Sequence, residues 1–176
     1  MTREKPLTES LSLSHKSGWD NYLQFFAGAQ AGFLPSPPDA SPPGASFDEL
    51  ATTFTHPSYG HVPFALVPNG SPSTQLSANG TEWSSYNWNL LAAHYNGNLF
   101  NLTLTQHMDA LDSPNGTMPF VVNWMELEFD VSDEGVVHGF GVRGDGAFWG
   151  AGFGVKPLPK KGSVKQRSEV YFERET

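Results

Sequence analysis

Thr53-Phe54-Thr55-His56-Pro57-Ser58-Tyr59-Gly60 opens a procession of short segments with alternating apolar and polar residues that ends near Phe172. Alternation with a period of two puts successive side chains on opposite faces, so the stretch reads as a strand running into a Pro/Gly turn. Further strand candidates follow at 62–68, 87–95, 99–108, 120–131, 136–143, 148–156 and 169–174, the first spanning 51–56. Turn signals lie between them: Asn69-Gly70, Asn79-Gly80, Asn96-Gly97, Asn115-Gly116, Asp133-Glu134-Gly135 and Gly144-Asp145-Gly146. Several are Asn-Gly pairs, which supply the positive φ that tight hairpins require. About eight short antiparallel strands at this spacing predict an all-β fold, an up-and-down barrel that removes its edges by closure. A barrel of that size holds packed side chains or one small ligand.

The alternation also assigns faces. Phe100, Leu102, Leu104 and Met108 share one side of their strand, with Asn101, Thr103, Thr105 and His107 on the other. Met125, Leu127, Phe129 and Val131 oppose Glu126, Glu128 and Asp130, a carboxylate stripe that reads as solvent-facing. Val136, His138, Phe140 and Val142 oppose Val137, Gly139, Gly141 and Arg143. In 148–156, Trp149, Ala151, Phe153 and Val155 face one way, while three glycines leave the other face bare. Repeated glycine in a strand marks a bend or the close approach of another group.

Ahead of the strands the pattern changes. Residues 1–17 are polar. Between Trp19 and Phe33, apolar residues recur at three- and four-residue spacing, which predicts one amphipathic helix capped by Ser17. Five prolines within Pro35–Ser46 exclude regular structure and predict a semi-rigid strap. Tail, helix and strap together make residues 1–46, and the barrel makes 47–176.

Composition narrows the partners. A net charge of −8 argues against nucleic acid and anionic membrane surfaces, which need a basic footprint. The basic cluster at Lys156–Arg167 reads as a solvated loop between two strands. The absence of cysteine excludes disulfides, zinc–thiolate sites and a cysteine nucleophile. The N-terminal residues lack the apolar core of a signal peptide, and no apolar run reaches membrane-spanning length, so a soluble, cytoplasmic protein is expected. Four Asn-x-Ser/Thr sequons, at Asn69, Asn79, Asn101 and Asn115, fit turn chemistry better than glycosylation on that expectation.

No nucleophile elbow, phosphate-binding loop or His-Glu-x-x-His pair is present. The histidines lack tight ligand spacing, so neither a metal nor another cofactor is expected, and Glu126 with Glu128 does not form a separated acid–base pair. What remains is a barrel interior with polar handles. His56, Tyr59 and Arg143 are the candidate catalytic donors, with Trp88, Trp124, Trp149, Phe153 and His107 as the candidate substrate-binding set. The 13 Phe, 5 Trp and 5 Tyr serve equally as core or as lining for an apolar ligand.

Four phrases fall in order along the chain: 51-ATTFTHPSYG-60, 100-FNLTLTQH-107, 127-LEFDVSDEG-135 and 170-VYFER-174. Together they resemble the C-terminal lipocalin-like domain of fungal β-lactamase-related serine hydrolases of the peptidase S12 type. In that family a phrase like GTYTHPAYG opens the barrel and a phrase like FxR closes it. The resemblance covers residues 47–174 and implies a lipocalin-like barrel, in which His56, Tyr59 and His107 match motif positions that look structural or substrate-facing. The catalytic domain carrying the Ser-x-x-Lys nucleophile is not in this sequence, so the resemblance does not imply hydrolysis. Freestanding barrels of this look occur in fungal natural-product pathways. The resulting expectation is a barrel that binds a small hydrophobic molecule of the terpenoid or polyketide class and promotes a cofactor-free cyclisation or isomerisation of the Diels–Alder kind. The alternative is a non-catalytic binding or assembly domain derived from a serine hydrolase.

Overall fold

The structure is a computed structural model that describes residues 36–68, 74–81, 88–109, 117–144 and 158–176, with backbone alone for 80–81, 88, 106–109 and 117–124. Its elements are α1 (Phe47–Leu50), β1 (Thr53–His56), β2 (Gly60–Pro63), β3 (Ala65–Leu66), β4 (Gln75–Thr81), β5 (Trp88–Asn96), β6 (Leu99–Asp109), β7 (Thr117–Val131), β8 (Val137–Arg143), α2 (Val164–Arg167) and β9 (Val170–Arg174). The expected tail and the helix at 19–33 lie outside the described residues, as does the expected strand at 148–156. Ser36–Thr176 forms one compact unit, which takes in residues 36–46 of the strap.

All nine described strands join one sheet in the order β2-β1-β9-β8-β7-β6-β5-β4-β3, and every ladder among them is antiparallel. This is the expected all-β up-and-down arrangement, a nearly closed barrel. The two ends of the sheet, β2 and β3, are halves of one extended segment that bends at Phe64. Its first half pairs with β1 and its second with β4, so about eight strands describe the wall equally well. The segment does not zip fully onto β4. Phe64 N–H donates to Thr52 O, and Val67 N–H donates to Gln75 O. By the two-residue alternation of an antiparallel ladder, Pro63 is the residue whose N–H would continue the pairing toward Asn79. Proline has no N–H to give, and the ladder stops.

Three sequence expectations are corrected. Asn79-Gly80 is not a turn but part of β4, where the register slips between Asn79 and Thr81; Gly80 is the extra residue of a bulge. The strand itself, Gln75–Thr81, had no counterpart among the expected ones. In β8 the register slips at Asp130/Val131, which leaves His138 as the extra residue. Val137 therefore turns inward with Phe140 and Val142, while Val136 and His138 are exposed. The basic loop also contains α2, whose Ser163 cap and Gln166 side chain bond reciprocally to each other's backbone.

The predicted inner faces fill the barrel. Phe100, Leu102, Leu104, Met125, Leu127 and Phe129 are buried together with Phe54, Phe64, Phe140 and Phe172. Their rings meet mostly edge to face, with centroids 5.0 Å apart for Phe54–Phe140 and 5.1 Å for Phe100–Phe129.

One end of this core is sealed. Ser46 caps α1 through a capping box with Glu49, and Leu50 is fully buried below it. Phe47 packs edge-on against Phe100 and His94. The strap crosses the same end, pinned to the β5–β6 turn. Asn96 Oδ1 accepts from Ser41 N–H and Asn98 Oδ1 from Gly44 N–H, each at 2.8 Å, while Gly97 N–H donates to Ser41 O. The Asn-Gly turn read from the sequence thus holds the lid as well as reversing the chain.

Candidate functional site

The β1–β2 turn lies at the opposite end of the barrel from α1. Tyr59 N–H donates to His56 O at 3.1 Å, closing a turn with Pro57 in its second position, and Gly60 follows at φ 67°. Pro pre-sets the φ of that position and Gly tolerates the left-handed one, which is why the phrase His-Pro-Ser-Tyr-Gly folds into a three-residue hairpin loop.

The turn brings two of the predicted catalytic residues together. The His56 and Tyr59 rings stack with centroids 4.6 Å apart. Below them His56 meets Phe172 at 5.4 Å, and Phe172 stacks on Phe140 at 4.7 Å. A continuous aromatic path therefore runs from the hairpin tip into the core. Ser58 N–H donates to His56 Nδ1 at 3.1 Å, which assigns the neutral ring's proton to Nε2. Burial lowers the pKa of His56, against a smaller opposing pull from the Glu173 carboxylate. Burial raises that of Tyr59. At neutral pH both groups are uncharged, and each suits contact with an apolar, carbonyl-bearing molecule better than contact with an ion.

Arg143 stands apart from this pair. It ends β8 on the outer face, where it pairs with Glu126 and, at 3.4 Å, with Glu128. Arg167 of α2 grips Glu128 in a two-pronged contact at 2.8 Å for both bonds, and Tyr171 Oη donates to Asp130 at 2.8 Å. Burial, then the Asp130 hydrogen bond, push the Tyr171 pKa upward. The carboxylate stripe is thus the seat on which α2 is fastened. Gly139 and Gly141 permit this close approach: a methyl on Gly141 would overlap Ser168 Oγ, and one on Gly139 would overlap the Phe172 carbonyl.

Of the predicted binding set, Trp88, His107 and Trp124 lie on β5, β6 and β7, described by backbone alone, and Trp149 and Phe153 lie outside the described residues. Among the described residues no group of three or more His, Asp or Glu side chains could hold a metal, and no helix is long and apolar enough to cross a membrane.

A groove of about 360 Å³ borders the hairpin tip on its β9 side, lined by Thr55, His56, Pro57, Lys165, Tyr171 and Glu173 among others. Sequence reasoning did not find it. Its signal was Pro57, a residue without an N–H directly after a strand that has to pair on both sides.

Comparison with protein-family models, with curated proteins and with solved structures returns no match.

Proposed function

We propose that the barrel receives a small, largely apolar molecule at its His56–Tyr59 end and orients it for a cofactor-free cyclisation or double-bond shift. The observation that carries this reading is the neutral His56 ring, stacked on Tyr59 and in tilted contact with Phe172, with Nδ1 occupied by Ser58 and its proton on Nε2. A donor so placed can bond a ligand carbonyl and stabilise the negative charge that grows on its oxygen as the reaction proceeds. Aromatic faces beside it restrict the ligand's conformers, and orientation alone can lower a unimolecular barrier by several kcal/mol. A lipocalin-like origin, as the sequence resemblance implies, agrees with a barrel that takes one hydrophobic ligand, of which terpenoid and polyketide carbonyl compounds are the fitting classes.

The test is native mass spectrometry of the protein against a panel of terpenoid and polyketide enones, each paired with its analogue lacking the carbonyl. One-to-one complexes with the enones are expected, weakened about fivefold by His56→Leu, the equivalent of one neutral hydrogen bond. Conversion of a bound polyene to an isomer of equal mass, followed by chromatography, would establish the catalytic part. Failure of every compound to bind, or indifference of binding to both His56→Leu and Tyr59→Leu, would overturn the reading.

A further inference from the structure

The groove beside the hairpin tip owes its existence to an interrupted ladder. β1 and β9 pair only through Phe54–Arg174 and Thr55–Glu173. Just beyond them Glu175 N–H donates to Thr53 O. Residues 53 and 55 of β1 therefore direct their backbone groups at β9, and 173 and 175 direct theirs at β1. The next pair in that sequence would be Pro57 with Tyr171. Pro57 has no N–H, and the turn closed by Tyr59 N–H on His56 O carries the chain away toward Gly60. On its other side β9 stays paired with β8, where Gly141 lies opposite Tyr171. The Tyr171 N–H and C=O consequently face the groove beyond the last rung of the β1–β9 ladder.

We propose that this groove is a second binding site, which takes the backbone of a short extended peptide as an added strand opposite Tyr171. A donor and an acceptor projecting side by side from one residue match the C=O and N–H of another extended residue, as in strand addition to an open sheet edge. An isolated anion would meet the Tyr171 carbonyl and two carboxylates. The volume of about 360 Å³ lies at the small end of ligand sites, which limits the occupant to a few residues. Charge selects among peptides. Glu169 and Glu173 line the groove against a single lysine, and that lysine is held on Glu173 at 2.7 Å. With the chain at −8, a basic peptide side chain is favoured over an acidic one. The site lies on the outer side of the wall next to α2; His56 borders it as well as the barrel end, but the Tyr171 backbone groups that define it take no part in the proposed binding of an apolar ligand.

The experiment is a ¹H–¹⁵N titration of the full chain with acetyl-Ala-Lys-Ala-amide, with amide hydrogen exchange measured before and after. The free protein should show fast exchange at Tyr171. Addition of the peptide should shift the Tyr171 amide downfield, slow its exchange and perturb Thr55 and Glu173, with an affinity on the order of 0.1–1 mM. The analogue N-methylated at the lysine cannot donate to the Tyr171 carbonyl and should bind at least about fivefold more weakly. The acetyl-Ala-Glu-Ala-amide peptide should also bind more weakly. Slow exchange at Tyr171 in the free protein, absence of a shift at that amide, or equal binding of the N-methylated peptide would overturn the proposal.

Discussion

The two ends of this barrel are built on opposite principles. At one, α1, the strap and the Asn96–Asn98 turn converge on the Phe core, with strap N–H groups satisfied by the Asn96 and Asn98 amides and the helix capped by Ser46 and Glu49. At the other, the β1–β2 hairpin reaches past its neighbours, and Pro57 and Pro63 withhold the N–H groups that would have zipped its two outer edges to β9 and β4. The first arrangement maximises burial and order. The second gives up ladder hydrogen bonds and sets an aromatic pair, His56 and Tyr59, in a stack at the tip. Segments with few backbone bonds to their neighbours are drawn from the low-stability end of a fold, where binding groups are commonly found.

The sharpest way to break this contrast is to remove a ring from each end. Phe100→Ala, which empties a fully buried site under α1, should cost about 3–5 kcal/mol in chemical denaturation. Tyr59→Ala at the tip should cost about 1 kcal/mol, in the ordinary range for single substitutions. Equal losses would mean that the tip is as much a part of the core as the sealed end. Between these falls Gly141→Ala, whose methyl would overlap Ser168 Oγ; it should destabilise by about 1–3 kcal/mol, and a second change, Ser168→Gly, should return much of the loss in a double-mutant cycle. Ser46→Ala removes the α1 cap and should cost about 1 kcal/mol, a check on how much the sealed end relies on its capping box.

The smallest effect concerns pH. The folded-state pKa of His56 is depressed, so the unfolded chain binds its proton more readily. The stabilisation is present above the unfolded value near 6.5 and is lost as pH falls through the lower folded value. Thermal melts from pH 7.5 to 5 should therefore show His56→Gln losing less stability than the unaltered protein over the acid part of the range. Parallel curves for the two would remove the partly buried, neutral histidine from the description of the tip.

Much of the wall was legible from alternation, because residues such as Phe100, Leu102 and Leu104 occupy one face without interruption. Legibility failed at two inserted residues. Gly80 and His138 are bulge residues, and one extra residue reverses the phase of everything around it. Asn79-Gly80 has the composition of a turn, and only pairing with β5 distinguishes the two uses. α2 did carry a local signal, Ser163 with Gln166 three residues on, which the surrounding lysines obscured. The His56–Tyr59 pair was legible because a short turn joins it. Arg143 was not, since its partners Glu126, Glu128 and the neighbouring Arg167 come from strands and a helix that only the tertiary fold brings together.

The sheet's order has a consequence for how the molecule assembles. Among the described strands, every ladder except one joins successive strands, and those linked by short turns can form as local hairpins. The exception is the β1–β9 seam, which joins the first strand of the meander to its last. That step closes the longest loop in the barrel and returns only two ladder pairs, so backbone pairing alone offers little to offset the chain entropy it removes. The driving force has to come from Phe54 meeting Phe140 and from the burial of Phe172 beside it. Seam formation is accordingly the expected last event in folding, with the His56–Tyr59 tip maturing only when the wall has been completed.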